Sequence, residues 1–94
     1  MSFRAADLSV LAYANGFTHW HYRTADTLAD ILGASYFQAA AEMLRAGDQV
    51  SINLIADGAI HLAQLAVTKI ASDGAVELAL IGASTPPIAF RRAA

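Results

Sequence analysis

A chain of 94 residues with a formal net charge of −2 reads as a single domain, 1–94, with room for one modest core. Charged residues make up 15% and apolar residues 56%, where about 25% charged is usual, so a domain this small is expected to bury apolar surface against another protein. The charge excludes the dense basic face of a nucleic-acid binder, and the absence of cysteine excludes disulfides, thiolate nucleophiles and cysteine metal sites.

At the N-terminus, Arg4 precedes the apolar run LSVLAYA. Asp7 interrupts it and the run is short, so no cleaved signal peptide is expected. No apolar run anywhere reaches the roughly 18 uncharged residues of a membrane-spanning helix, and no membrane partner is expected. The next stretch, Tyr13 to Arg23, reads YANGFTHWHYR. Asn15-Gly16 is a strong hairpin signal, because both residues tolerate positive φ in a tight turn. A two-residue loop there pairs Leu11 with Trp20 and Ala12 with His19. It places Thr18, Trp20 and Tyr22 on one face and Phe17, His19, His21 and Arg23 on the other.

Two helix starts follow. Thr27 and Asp30 fit a capping box, and so do Ser35 and Gln38. The second is the stronger, because SYFQAAAEMLRAG spaces Tyr36, Phe37, Ala40, Met43 and Leu44 along one helical face. Its three consecutive alanines favour helix, and Gly47 is placed to end it. Beyond Asp48 come three strand-like runs, QVSINLIA, AIHLAQLAVTKIA and AVELALIG, separated by ADGA and SDGA. They read as an antiparallel meander. The first run alternates, with Val50, Ile52 and Leu54 on one face and Gln49, Ser51 and Asn53 on the other. The long middle run is apolar on both faces, one carrying Ile60, Leu62, Ala66 and Ile70, the other Ala59, Ala63, Leu65 and Val67. Asp48, Asp57 and Asp73 sit at turns, where the side chain satisfies backbone N–H groups. Pro86-Pro87 marks the exit into an extended tail, 86–94. The fold predicted is therefore mainly β (α+β), a small antiparallel β-barrel or sandwich. One short helix lies between an N-terminal hairpin and the C-terminal three-stranded meander.

The residues that could carry chemistry are few. His19 and His21 share a strand face, and with His61 they could form the ligand set of a small cupin-like metal enzyme. That is the enzymatic alternative. It lacks a nearby carboxylate for acid–base work, and histidines lining a strand face or an interface are the simpler reading. Gly33-Ala34-Ser35 has no nucleophile-elbow pattern around it, and no phosphate-binding glycine loop is present. Tyr13, Phe17, Trp20 and Tyr22 are not interleaved with basic residues, as base-stacking surfaces require. Exposed aromatics on a β face could also serve a free-standing carbohydrate-binding module.

YANGFTHWHYRTAD followed by SYFQAAAEMLRAGDQVSI resembles a family of small proteins encoded among the head genes of tailed bacteriophages and gene transfer agents. The family pattern is Tyr-Ala-Asn-Gly-Phe, then Trp-His-Tyr, then a Gly-Tyr-Phe helix start, and Leu-Arg-x-Gly-Asp before a strand. Tyr13, Asn15, Gly16, Phe17, Trp20, His21 and Tyr22 match its first part, and Tyr36, Phe37, Met43, Leu44, Gly47 and Asp48 its second. Ser35 replaces the usual Gly, and His19 stands where an apolar residue is common. The resemblance covers Tyr13 to Val50.

What the resemblance implies is a non-enzymatic virion structural protein without a cofactor, on the head surface of a particle assembled in the bacterial cytoplasm. Its role would be a head decoration or the base of a head spike that holds a fibre. Its partners would be a capsid protein, a fibre protein and further copies of itself, in a five-fold ring if it sits at a capsid vertex. His19, Ile60, Leu62, Ile70, Arg91 and Arg92 are the candidate interface residues.

Overall fold

A computed structural model describes residues 3–56, 59–84 and 88–89. Asn15-Gly16 turns the chain between β1 (Leu8–Ala14) and β2 (Phe17–Thr24), with Gly16 at φ +93°. Only glycine takes that conformation without strain. Ala12 lies opposite His19 as expected, but Trp20 pairs with Val10 rather than Leu11. Leu11 is the extra residue of a β-bulge, which a two-residue count cannot foresee. The facial division of β2 holds, with Trp20 and Tyr22 buried.

Between β2 and the next strand the chain crosses over from Ala25 to Asp48. The capping box that forms is the one at Thr27. Its hydroxyl accepts from the Asp30 N–H, the Asp30 carboxylate accepts from the Thr27 N–H, and both open α1 (Leu28–Ile31). The longer helix expected from Ser35 is absent. The chain there makes successive turns, with one 3-10 turn at Gln38–Ala40. A helix of that length is marginal by itself, and tertiary demands override its propensity. The Ala34 carbonyl accepts from Val76 N–H at 2.9 Å, and the Gln38 amide donates to the Asp73 carbonyl at 2.9 Å. Both Tyr36 and Phe37 pack against Tyr22.

The meander forms as expected from β3 (Gln49–Ala56), β4 (Ala59–Ile70) and β5 (Val76–Ala83), antiparallel throughout. Asp73-Gly74 makes its second turn, with Gly74 at φ +91° and the Asp73 carboxylate accepting from Ala75 N–H. The first turn, Asp57-Gly58, lies outside the described residues, and Ala56 and Ala59 pair across it. Of the tail expected over 86–94, only Ile88–Ala89 is described, as β6 on Ala59–Ile60 of β4.

The hairpin and the meander join in one sheet of order β1-β2-β3-β4-β5. An all-antiparallel sheet was expected, but β2 and β3 are parallel, with His19 opposite Gln49 and Thr24 opposite Leu54. A parallel pair needs a crossover, and the 25–48 segment supplies it. That segment covers one face of the sheet and completes the core around Tyr22, Ile31, Phe37, Ile52 and Leu65. β4 buries Ala63, Leu65 and Val67 and leaves Leu62 exposed, so its two faces divide as expected except at Ile70. Thr68 is bulged against β5. The bulge shifts the phase and turns Ile70 inward against the core.

Candidate functional site

The best-connected polar group is the Asp48 carboxylate, only 1% exposed. Its Oδ1 accepts from Thr18 N–H at 2.9 Å, and its Oδ2 accepts from Trp20 Nε1–H and from Arg45 N–H, both at 3.0 Å. Its main chain pairs with Val67 N–H, and the neighbouring Gly47 N–H donates to the Val67 carbonyl at 2.7 Å. Gly47 stands at φ +98°, which a side chain would resist. One carboxylate thus ties the β2 strand to the crossover at the entry to β3. A buried charge is tolerated only when hydrogen bonds replace its water, and here three N–H donors do so.

A second cluster sits where the crossover begins. Arg4 N–H donates to the Tyr22 hydroxyl at 3.0 Å, the two hydroxyls of Tyr22 and Tyr36 lie 2.9 Å apart, and the Tyr36 hydroxyl donates to Asp26 Oδ2 at 2.6 Å. Tyr36 spends its proton on the carboxylate, so Tyr22 donates to Tyr36 and the chain of bonds runs one way. Burial, and then the Asp26 carboxylate, push the Tyr36 phenol well above the ordinary tyrosine range. Phe3 stacks on Tyr22 at 5.4 Å, and Phe37 meets Tyr22 and Tyr36 edge-on at 5.2 and 5.1 Å. The phenols act here as structural donors.

The three histidines do not converge. His19 and His21 lie on the open face of the sheet. His19 Nε2 is 2.8 Å from Ser51 Oγ, which donates to Gln64 Oε1 at 2.6 Å, and the Gln64 amide donates on to Gln49 at 3.2 Å. The Ser51 proton is used on Gln64, so His19 Nε2 carries the proton donated to Ser51. His61 pairs with Leu54 at the far end of β3, on the covered face. Among the described residues no group of three histidine, cysteine, aspartate or glutamate side chains is arranged to hold a metal ion. The set proposed for a cupin-like enzyme is split across the sheet.

His61 does border a cleft of about 410 Å³, which Asp26, Leu28, Leu54 and Ile55 also line. Its Nε2 is buried without a hydrogen-bond partner. Among the described residues no titratable side chain is hydrogen-bonded to it, and Asp26 is the other titratable group on the cleft wall.

The motif residues thus divide. Trp20, Tyr22, Tyr36, Phe37, Gly47 and Asp48 hold the fold, Asn15 and Gly16 make the turn, and Phe17 and His21 are half-buried on β2. Tyr13, at 82%, and Met43, at 47%, are the large motif side chains left exposed. Of the candidate interface residues, Leu62 is exposed, His19 and Ile60 are half-buried and Ile70 packs inward. Arg91 and Arg92 lie outside the described residues. What the sequence reading missed is the outer edges of the sheet. Val10, Leu11 and Tyr13 on β1 and Leu80 and Ile81 on β5 are all exposed. The apolar character of LSVLAYA and AVELALIG was visible, but not that both strands end the sheet. Comparison of the chain with protein-family profiles, with curated proteins and with solved structures finds no match.

Proposed function

We propose that this chain is a non-enzymatic assembly subunit on the head of a phage-like particle, a decoration or the base of a spike that holds a fibre. The observation that carries the reading is the apolar surface of β1 and β5, displayed by a chain with only 15% charged residues. Exposed apolar surface of that kind marks a contact with other proteins. Two further points support it. The polar clusters at Asp48 and at Tyr36 are each occupied by hydrogen bonds within the cluster, which suits a scaffold more than a catalyst. The resemblance of Tyr13–Val50 to head-associated proteins names the assembly, with a capsid protein and a fibre protein as partners and other copies of this chain beside it.

The test is localisation. Antibody raised against the recombinant protein, with a gold label, is applied to particles purified from a bacterium that carries the gene, and the same particles are examined by mass spectrometry. Label on the head surface is the expected result. Particles that carry neither label nor peptides, with the protein left in the soluble fraction, would overturn the reading.

A further inference from the structure

Among the described residues, β1 and β5 end the sheet and each pairs on one side only, so each leaves alternate N–H and C=O groups facing outward. Proteins that remain monomeric blunt such edges with charge, proline or a covering loop. β1 carries no charged residue, and β5 carries only Glu77 near its start. Both strands are exposed over most of their length, from Ser9 to Ala14 and from Ala79 to Ala83.

Each edge strand also contains one bulge, with Leu11 as the extra residue of β1 and Ile81 as that of β5. A bulge commonly protects an edge by re-aiming a side chain outward. A protective bulge would present a polar group. These present the two most exposed aliphatic side chains among the described residues, Leu11 at 55% and Ile81 at 60%.

We infer that the β1 edge of one copy packs antiparallel against the β5 edge of a second copy, with Leu11 and Ile81 at the seam. The inference rests on the assembly reading and names the surface through which copies meet. Strand direction allows it. β1 is antiparallel to β2, β2 is parallel to β3, and β4 and β5 alternate after that, so β1 and β5 run in opposite directions. A copy rotated about an axis along the strands therefore brings β5 antiparallel to β1, and the sheet continues from subunit to subunit.

Size decides between a pair and a ring. A strand of seven residues is about 23 Å long, and a single edge contact of that length covers only part of a standard interface. A stable interface takes about 800 Å² per partner. One seam falls short of that, and a subunit that uses both edges is held by two such seams, one to each neighbour. Head-to-tail contacts that use both edges of every copy close into a ring where the rotation between neighbours closes, and run on as an open filament where it does not.

The chain has no cysteine, which makes cross-linking specific. Leu11→Cys and Ile81→Cys are prepared as separate proteins, mixed, and treated with a short bis-maleimide. The mixture should give a covalent dimer joined between positions 11 and 81, and neither protein alone should give one. Leu11→Lys and Ile81→Lys should each reduce the mass in light scattering from that of the oligomer to the monomer's, with circular dichroism melts near the parent's. A cross-link in either single-variant sample would mean like edges meet and would overturn the pairing. So would an oligomer that neither Lys variant disturbs, although the assembly reading would then survive. A parent protein that stays at 9.9 kDa at all concentrations would overturn the pairing as well. Cross-linking as expected, with no label on particles, would instead leave the pairing standing and remove the proposed location.

Discussion

At the scale of the residue, Asp48 is the side chain on which most depends. Asp48→Ala would leave the N–H groups of Thr18, Trp20 and Arg45 without their acceptor, the Trp20 bond being buried and the other two part-buried. Each buried loss costs about 1–3 kcal/mol and water offsets part of the other two, so a fall near the low end of the sum, about 3–5 kcal/mol, is expected in urea unfolding. Asp48→Asn keeps one acceptor oxygen and should cost less than alanine. Equal midpoints for Ala and parent would remove Asp48 from its place as the tie. Tyr36 makes a separate prediction, in alkali. Its folded-state phenol holds its proton above the ordinary value, while the unfolded chain releases it near pH 10. The unfolded state then binds fewer protons, so this contribution is complete below about pH 10 and declines as pH rises beyond it. Tyr36→Phe has no such proton. Its stability should be lower at pH 8, because Asp26 loses a donor, and flatter between pH 10 and 11. Parallel urea-midpoint curves for the two proteins above pH 10 would contradict this. That Asp48 serves backbone N–H groups at a turn was legible from its place after Gly47. That it also holds Trp20 was not, because nothing local marks a bond across 28 positions of chain.

At the scale of the element, the tight turns and the alternating strands that could be read locally are what formed. Asn15-Gly16 and Asp73-Gly74 made their turns, and the period-2 runs became β3, β4 and β5. The crossover did not follow its strongest local signal. SYFQAAAEMLRAG has helical propensity, yet its aromatics and Gln38 are held by Tyr22 and Asp73 in a sequence of tight turns. The parallel β2–β3 pair was equally invisible, since register across a crossover depends on where that segment docks. The two glycine turns give a contrast that can be measured. Gly16 and Gly74 both have φ near +90°, but a Cβ at Gly16 meets nothing within 4 Å, whereas at Gly74 it lies 3.3 Å from Gln38 Cγ. Gly16→Ala should cost only the conformational strain, about 1–2 kcal/mol. Gly74→Ala should cost about 1 kcal/mol more, because the hydrogen-bonded Gln38 has to shift. A branched residue such as Val at position 16 should exceed Ala there. Thermal melts in which Gly74→Ala is the milder of the two alanine changes would show that Gln38 is not fixed.

At the scale of the whole molecule, the chain is elongated, with extents of 47 × 29 × 24 Å, and its core occupies one face of the sheet. The excess of apolar residues that the composition announced is therefore not all inside. Part of it lies on β1 and β5, and a sequence without topology could not say which strands would be left bare. The kind of force that would join copies across the proposed seam follows from this. With no charged residue on β1 and only Glu77 on β5, a seam between them gains from apolar burial, at about 25 cal/mol per Å², and little from ion pairing. Salt screens charge attraction within about 3 Å at 1 M ionic strength, but it does not weaken apolar contacts, and excluded salts such as sulfate strengthen them. The proposed oligomer should therefore keep its mass when sodium chloride rises from about 0.1 M to 1 M, the span over which screening goes from partial to nearly complete. Ammonium sulfate at equal ionic strength should shift its dissociation to lower protein concentration. Sedimentation velocity across a dilution series in the three buffers measures both effects. Dissociation by sodium chloride alone would mean that charged groups away from the sheet edges hold the copies together, because the apolar seam has no means of responding in that direction.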